Sequence, residues 1–413
     1  MAATNVPLST QSRVLGCLVG LAVGDTIGIP VEFMPPGSFP PVTGMTGGGR
    51  YNLSPGQWTD DTSMCLCLAE SLIECNWFNP VDQLKRYQRW YQDGHLSSTG
   101  ECFDIGKTVR TALNKFTGSE EFPGSVGPRA AGNGCLMRLG PVPCAFKNCH
   151  SLALRYSADS ARTTHGPPAA TDTCIYFAGL LLGCFEGKSK EELLADKYSP
   201  IPDYWLNNTM VPELAEVVGG SYKRKSPPDI KGSGYIIDSL EAVLWAFYHT
   251  DNFKDGCLKA VNLGDDADTV GAIFGQLGGA YYGIESIPSE WKECVSFLKL
   301  IELFSEEINN LEPKEQSGLV PFSELSEKYR NVKINFYDVL ERRTHETLYR
   351  FSQPCPKQYT DLSQFDEEVE RIKSEVQGAL SADEDNLFIL KDFESLWSSY
   401  RSKLQGRLSR KKI

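Results

Sequence analysis

The sequence predicts an all-α fold. Apolar residues recur at the three- and four-residue spacing of helices along most of the chain, strand-like alternation is scarce, and clusters of Gly and Pro separate the helical stretches. With 413 residues and 41% hydrophobic side chains, the chain is long enough to bury a sizeable core. A wholly disordered chain and a disulfide-stapled miniprotein are thereby excluded.

Helical periodicity and capping residues predict the individual helices. The first begins after a cap at Ser9 or Thr10 and ends near Gly28, because Ser and Thr favour N-caps and Gly favours helix ends. The same periodicity predicts further helices over 62–75, from 81 onwards, and over 105–116, 171–185, 236–248 and 268–282. Two segments rich in Gly or Pro, 35–56 and 198–234, are interpreted as loops, the second as an insertion between two helical groups.

The composition changes near residue 300, which predicts a domain boundary there. Residues 1–300 form one predicted helical domain, and residues 301–413 form a helical extension with a higher charge density. In the extension, an apolar stripe that includes Phe365, Val369 and Val376 lies on an otherwise charged helix. The stripe fits either an extra layer packed on the first domain or a surface for a partner helix, so the role of the extension stays open.

Charge and cysteine content restrict the class of function. The net charge of −12 and the pI near 5.1 provide no global positive field for a nucleic acid or an anionic membrane. The apolar run 14–23 is too short to cross a bilayer. Thirteen cysteines occur without a Cys-x-x-Cys pair, and several lie in apolar helical patterns, as free thiols do in a reducing compartment. We therefore expect a soluble cytoplasmic protein without nucleic-acid or membrane partners.

Two acidic clusters, 59–62 and 264–269, each stand immediately before an apolar helix. Thr and Asp are favoured at helix starts, so either cluster alone fits an N-cap. Because adjacent carboxylates repel, bringing both clusters to one place requires a cation. Oxygen ligands suit Mg²⁺, Mn²⁺ or Ca²⁺, whereas zinc prefers His and Cys, and the chain has only five histidines. An oxygen-lined site, with one or two metal ions, is the functional hypothesis.

Three further features have both a structural and a functional interpretation. Glu32 follows the first helix in a loop, where it is either a surface residue or a metal ligand. The turn Gly132-Asn133-Gly134 runs into an apolar helix start, where free backbone N–H groups can hold a phosphate. His165 lies on a loop before a helix and is either a structural residue or part of a site.

Taken together and in this order, these segments resemble the ADP-ribosylglycohydrolase family, which includes dinitrogenase reductase-activating glycohydrolase and the eukaryotic ADP-ribosyl-acceptor hydrolases. The resemblance covers roughly residues 12–290, and the paired acidic motifs are its most specific part. The matching segments are GLAVGDTIGIPVEF, GQWTDDTSMCLCLAESL, FDIG, AGNGCLMRLGPV, THGPPAATD, GSGYIIDSLEAVLWAF and AVNLGDDADTVGAIFGQLGGAYYG.

The resemblance implies an all-α orthogonal bundle of this type with a C-terminal helical extension, and two Mg²⁺ or Mn²⁺ ions in a cleft. By motif position, one ion would bind Thr59, Asp60 and Asp61, the other Glu32, Asp266 and Thr269, with Asp268 shared. Asp104 stands where relatives keep an acidic residue implicated in catalysis, and Glu32 and Asp61 are further candidate catalytic carboxylates. Lys107 replaces a small polar residue of the family, and Asp265 is a neighbour of the ligands rather than a ligand.

The resemblance also implies the reaction. Gly132, Asn133, Gly134 and His165 would face the diphosphate and adenosine end of the substrate. The chain would be a metal-dependent hydrolase that cleaves the bond at C1 of the distal ribose, through an oxocarbenium-like state that a carboxylate can assist. Similarity over 232–247 to the nitrogenase-activating branch favours ADP-ribosylated arginine in protein as the substrate. ADP-ribosyl-serine, O-acetyl-ADP-ribose and other conjugates remain alternatives.

An alternative of another class is a catalytically silent protein that binds ADP-ribose or serves a structural, crystallin-like role. Every acidic position that the resemblance requires is filled in this chain, which favours activity.

Overall fold

The structure is a computed structural model, and it describes residues 8–315, 319–320, 324–326 and 328–329. The chain divides into two compact units, one of residues 1–97 and 101–320, the other of residues 98–100 and 321–413. The helices and the cleft described below belong to the first unit. The apolar stripe at 365–376 and most of the expected extension lie outside the described residues, so the boundary at residue 300 stays a prediction.

Fifteen α-helices and five short 3₁₀ helices form the regular structure of the described residues, which contain isolated β-bridges and no β-strand. The all-α fold class is therefore confirmed. The helices are α1 (Thr10–Gly28), α2 (Asp60–Cys75), α3 (Pro80–Asp93), α4 (Lys107–Lys115), α5 (Pro141–Ala145), α6 (His150–Arg162), α7 (Pro168–Phe185), α8 (Lys190–Leu193), α9 (Tyr204–Asn207), α10 (Pro212–Val218), α11 (Ile236–Tyr248), α12 (Phe253–Val261), α13 (Ala267–Tyr282), α14 (Ser289–Lys292) and α15 (Leu298–Asn310).

Helices α1 and α13 form the central pair of the fold. A methyl group added at Gly24 would lie 1.9 Å from the carbonyl oxygen of Gly271, and one added at Gly28 would lie 2.3 Å from the Cα of Asp268. Only glycine permits backbones to approach so closely. The contacts run in opposite directions along the two helices, so the helices are antiparallel and the end of α1 meets the start of α13. This crossing brings the loop after α1 to the second acidic cluster.

Other helices cover the central pair: α2 and α15 contact α1, and α7, α11 and α12 contact α13. Thr10–Val31 and Pro168–Phe185 are long and apolar enough, by length and composition alone, to cross a membrane. The most apolar 18-residue stretch of the first segment is 89% buried inside the protein, and that of the second is 78% buried. The N-terminal apolar segment is thus longer than the run 14–23 recognised in the sequence, and it forms part of the core.

The predicted helices are present, with bounds that differ by a few residues. Helix α11 begins and ends as predicted, and Ser9 caps α1 by accepting a hydrogen bond from the Ser12 N–H. The segment 198–234 is less irregular than expected, because it contains α9, α10 and the 3₁₀ turn Ser221–Lys223. Helix α6 was missed because six of its eight buried residues are Ala, Ser or Asp, and only Leu154 and Tyr156 are large.

Candidate active site

A cleft with a volume of about 450 Å³ lies where α1 ends and where α2, α4 and α13 begin. It brings together most of the site residues predicted from the sequence: Glu32, Asp60, Asp104, Gly132, Asn133, Gly134, His165, Asp266, Asp268 and Thr269. Thr59 and Asp61 do not line the cleft. They are 1% and 0% exposed and flank Asp60 in the chain.

Both acidic clusters lie at helix starts, yet neither caps its own helix through a side chain. Asp60 and Asp61 occupy the first turn of α2, and its N-cap residue, Thr59, makes no side-chain capping bond. In the same way Asp268 lies in the first turn of α13, and its N-cap residue, Asp266, makes no such bond. The side chains of Asp60, Asp61 and Asp268 are therefore not used as N-caps of α2 and α13.

The start of α2 is capped from another helix, by Asp25 of α1. The Asp25 carboxylate accepts hydrogen bonds from the backbone N–H groups and the hydroxyl groups of Thr59 and Thr62, at 2.6–3.2 Å. Burial raises the pKa of Asp25 to about 7, although these hydrogen bonds lower it. Asp25 thus fixes α2 to α1 and orients Thr59, whose hydroxyl also lies 3.1 Å from Oδ2 of Asp61.

Glu32, Asp104 and Asp268 form the centre of the acidic site. Each offers one carboxylate oxygen, and these oxygens all lie within 4.8 Å of one another. Three buried oxygens of the site have no hydrogen-bond partner in the described part of the chain: Oε2 of Glu32, Oδ1 of Asp61 and Oδ1 of Asp268. Since an unpaired buried carboxylate is costly, the arrangement favours a proton or a cation at this place.

The pKa values of the cluster are raised together. Burial, and then the carboxyl groups of Asp104, Asp266 and Asp61, raise the pKa of Glu32 to about 10. Burial raises the pKa of Asp266 to about 6, against a hydrogen bond from Asn133. The pKa values of Asp60, Asp61 and Asp268 are raised in the same way, by burial first and by neighbouring carboxyl groups second. Burial and mutual repulsion thus favour the protonated carboxyl groups in this cluster unless a cation balances their charge.

Two loops hold Glu32 and Asp266 beside each other. The Phe33 N–H donates to the Asp265 carbonyl at 2.5 Å, and the Asp265 N–H donates to the Met34 carbonyl at 2.9 Å. Phe33 and Asp265 both have a left-handed backbone, with φ of 57° and 52°. Such conformations are uncommon outside glycine and occur often at functional sites. Asp265 itself contributes its backbone to this contact, which agrees with its expected place as a neighbour.

Asn133 serves the acidic side of the cleft. Its Nδ2 donates to Oδ2 of Asp266 at 2.7 Å and to the Ser239 hydroxyl at 3.0 Å. Its backbone N–H donates to the Gly234 carbonyl at 3.2 Å. The Asn133 side chain therefore orients Asp266, whereas the flanking Gly132 and Gly134 line the cleft without a side chain.

His165 stands next to this glycine turn and is 2% exposed. Its Nδ1 lies 2.7 Å from the Thr164 hydroxyl, which also accepts a hydrogen bond of 2.7 Å from the buried guanidinium of Arg138. Burial, and then the charge of Arg138, lower the pKa of His165 to about 3, so its ring is neutral near pH 7.

Aromatic and basic side chains also line the cleft. The Tyr51 hydroxyl donates to Oδ1 of Asp104 at 2.7 Å, and the Arg50 guanidinium carbon lies 5.7 Å from the centre of the Phe33 ring. Lys107, the residue that departs from the family pattern, begins α4 and is an exposed lining residue.

Sequence reasoning missed three residues that support this site: Asp25, Tyr51 and Ser239. An acidic residue inside the apolar pattern of α1 is a readable signal, and it identifies Asp25 as a buried polar group. Tyr51 and Ser239 carry no such signal, because their partners are distant in the sequence.

A family model described as ADP-ribosylglycohydrolase matches residues 7–318. The chain belongs to the ADP-ribosylglycohydrolase family. It is 38% identical to "ADP-ribosylarginine hydrolase Tri1" of Serratia proteamaculans over 73% of this chain and 80% of that protein. It is 32% identical to "ADP-ribosyl-[dinitrogen reductase] glycohydrolase" of Rhodospirillum rubrum over 68% of this chain and 90% of that protein. A solved "ADP-ribosylglycohydrolase-related protein complex" is similar with a TM-score of 0.65 and 40% identity, over 73% of this chain and 99% of that one.

The family predicted from the motifs is therefore confirmed, and with it the glycohydrolase class of enzyme. In this ADP-ribosylglycohydrolase the cleft combines an acidic centre that could bind a metal with a glycine turn and a neutral histidine.

Proposed function

We propose that this ADP-ribosylglycohydrolase removes ADP-ribose from ADP-ribosylated arginine in protein, by a hydrolysis at C1 of the distal ribose that depends on divalent metal ions. The observation that carries the proposal is the cluster of Glu32, Asp104 and Asp268 at one cleft. Glu32 and Asp268 each have a buried carboxylate oxygen without a hydrogen-bond partner among the described residues. The names of the relatives at 38% and 32% identity support the substrate class, since both describe removal of ADP-ribose from protein or arginine.

Two Mg²⁺ or Mn²⁺ ions are the proposed cofactors. Unpaired carboxylate oxygens and raised pKa values fit such ions, because a cation can take the place of the protons that the cation-free site retains. The ions, when bound, would supply Lewis-acid chemistry at the ribose and at the attacking water. The residues proposed to hold them are Glu32, Thr59, Asp60, Asp61, Asp266, Asp268 and Thr269.

Asp104 is the proposed general acid or base. It lines the cleft, and the Tyr51 hydrogen bond to Oδ1 fixes the orientation of its carboxyl group. Burial raises the pKa of Asp104, which brings it closer to the range in which a carboxyl group can exchange a proton at neutral pH. Glu32 and Asp61 are the other candidate catalytic carboxylates, and Glu32 alone of these two lines the cleft.

Gly132, Gly134 and His165 are proposed to bind the diphosphate and adenosine end, with Asn133 holding Asp266 in place. The diphosphate is remote from the bond that breaks, so contacts there position the substrate and do not take part in the chemical step. Neutral donors and backbone N–H groups can hold its charge although the chain as a whole is acidic.

Release of free ADP-ribose from modified peptides tests the proposal. ADP-ribosyl-arginine and ADP-ribosyl-serine peptides are each incubated with Mg²⁺, Mn²⁺ or excess EDTA, and the products are separated by chromatography. We expect release from the arginine peptide with either metal and none in EDTA. Undiminished release in EDTA would contradict the metal dependence, and release from the serine peptide alone would contradict the acceptor. Absence of release from both, with metal still bound, would favour another ADP-ribose conjugate as the substrate. Failure to bind metal at all would favour a catalytically silent protein.

A cytoplasmic location is also proposed. No disulfide joins the twelve cysteines in the described part of the chain, as expected in a reducing compartment. A fluorescent fusion that localises to an oxidising compartment would contradict this.

A further inference from the structure

The cleft is supported from behind by a buried arginine, Arg138, whose side chain is 0% exposed. Its guanidinium carbon lies 4.6 Å from the centre of the Tyr87 ring, and no carboxylate lies within salt-bridge distance of it among the described residues. A buried cation without a carboxylate partner is costly, so its hydrogen bonds indicate what it does.

The Nη1 group of Arg138 lies 3.7 Å from Sδ of Met64, whereas its Nη2 group leads to His165. Its Nη2 donates to the Thr164 hydroxyl at 2.7 Å, and more weakly to the Thr163 hydroxyl at 3.3 Å and to the Ser160 carbonyl at 3.4 Å. The Thr164 hydroxyl in turn lies 2.7 Å from Nδ1 of His165. Arg138 has only N–H donors, so it occupies an acceptor position of the Thr164 oxygen.

The direction of the next hydrogen bond follows from the available partners. Within the described residues, Nδ1 of His165 is the one acceptor near the Thr164 hydroxyl hydrogen. If Nδ1 carried the proton, that buried hydroxyl hydrogen would have no partner, at a cost of about 1–3 kcal/mol. The Thr164 hydroxyl therefore donates, Nδ1 accepts, and the proton of the neutral ring is on Nε2.

Nε2 lies at the glycine turn. A methyl group added at Gly132 would stand 3.5 Å from Nε2, and one added at Gly134 would stand 3.4 Å from it. Both glycines and His165 line the cleft. The Nε2–H group is thus placed where an oxygen of the ligand can accept it.

We propose that Arg138 is a positioning residue for substrate binding: through the Thr164 hydroxyl it fixes His165 as the Nε2–H tautomer, so that a neutral hydrogen-bond donor faces the cleft beside Gly132 and Gly134. The chemical class of ligand is a phosphate or ribose oxygen of an ADP-ribose conjugate, and this part rests on the proposed function. Arg138 does not touch the ligand; it acts through Thr164.

The tautomer can be measured directly on the full-length protein. Long-range ¹H–¹⁵N spectra of ¹⁵N-histidine-labelled protein distinguish Nδ1–H from Nε2–H, and comparison with His165→Gln assigns the signal. We expect Nε2–H in the natural protein and in Thr164→Ser, and a mixture with Nδ1–H in Thr164→Val. Thr163→Val is the matched control, because Thr163 is equally buried and contacts Arg138 without reaching His165. It should keep the Nε2–H tautomer.

Binding of ADP-ribose, measured by calorimetry on the same four proteins, completes the test. Thr164→Val should weaken binding roughly five- to tenfold, the effect of about one hydrogen bond, whereas Thr164→Ser and Thr163→Val should bind as the natural protein does. An Nδ1–H tautomer of His165 in the natural protein would overturn the proposal, whatever the Thr164 variants show. Equal loss of affinity in Thr163→Val would also overturn it. Absence of ADP-ribose binding by the natural protein would instead contradict the proposed function. The spectra would then still decide whether the Thr164 hydroxyl fixes the tautomer of His165.

Discussion

Asp25 shows how one buried side chain can serve both stability and the site. Its carboxylate receives four donors from Thr59 and Thr62, so it caps α2 and sets the position of the acidic cluster in the first turn of that helix. A carboxylate can accept all four hydrogen bonds, whereas an amide has a single acceptor oxygen and would direct its own N–H groups at these donors.

We therefore expect Asp25→Asn to lower the free energy of unfolding by about 2–3 kcal/mol, because buried donors lose their acceptor. Chemical denaturation at a pH above the Asp25 pKa of about 7, where the carboxylate is ionised, measures this loss. Asp229→Asn, at an exposed position, is the matched control and should change stability by less than about 0.5 kcal/mol. An Asp25→Asn protein as stable as the control would contradict the capping role.

At the scale of elements, the crossing of α1 and α13 decides where the acidic clusters meet. A methyl group at Gly271 would lie 2.3 Å from the Gly24 carbonyl oxygen, a distance that real contacts do not reach. The helices must separate to admit it, and the start of α13 carries Asp266 and Asp268 away from Glu32.

Gly271→Ala is expected to cost about 1–3 kcal/mol of stability and to weaken metal binding as well. Thermal unfolding and calorimetric titration with Mn²⁺ measure the two effects. Gly127→Ala is the control, because a methyl group there meets no atom within 4 Å. If Gly271→Ala retained both stability and metal affinity, the crossing would not position the site.

The elements also show what a sequence can predict. Helices with large apolar residues at helical spacing, such as α11, can be predicted from the sequence pattern. The paired acidic motifs likewise predict a common site from the sequence alone. Helix α6 was not visible, since most of its buried residues are Ala, Ser or Asp and only Leu154 and Tyr156 are large. The links of Tyr51 to Asp104 and of Asn133 to Ser239 join residues that are 53 and 106 positions apart, and only the folded chain brings such partners together.

For the molecule as a whole, the acidic site couples stability to pH. The pKa values of Asp25, Glu32 and Asp266 rise from 3.8, 4.5 and 3.8 to about 7, 10 and 6. Above pH 4 to 5 the unfolded chain releases these protons while the folded chain keeps them. The free energy of unfolding therefore falls as the pH rises through the pKa values of Asp266, Asp25 and Glu32, about 6, 7 and 10.

We expect the melting temperature in EDTA to fall between pH 5 and pH 8. A cation replaces the retained protons, so the rise in melting temperature on adding Mn²⁺ should be larger at pH 8 than at pH 5. Circular dichroism at a fixed excess of Mn²⁺ measures both. An Mn²⁺-induced rise in melting temperature that is largest at pH 5 would contradict the proposal that the cluster binds a cation.

The central claim is that the buried acidic cluster binds the metal on which hydrolysis depends, and paired variants test it most directly. Asp268 lies at the centre of the cluster, whereas Asp265 is the adjacent acidic residue that contributes its backbone. In calorimetric titration with Mn²⁺, Asp268→Asn should lose metal affinity by at least about tenfold. It should also no longer release ADP-ribose from the arginine peptide. Asp265→Asn should keep both the metal affinity and the release. Metal affinity and turnover that are unchanged in Asp268→Asn would contradict the account.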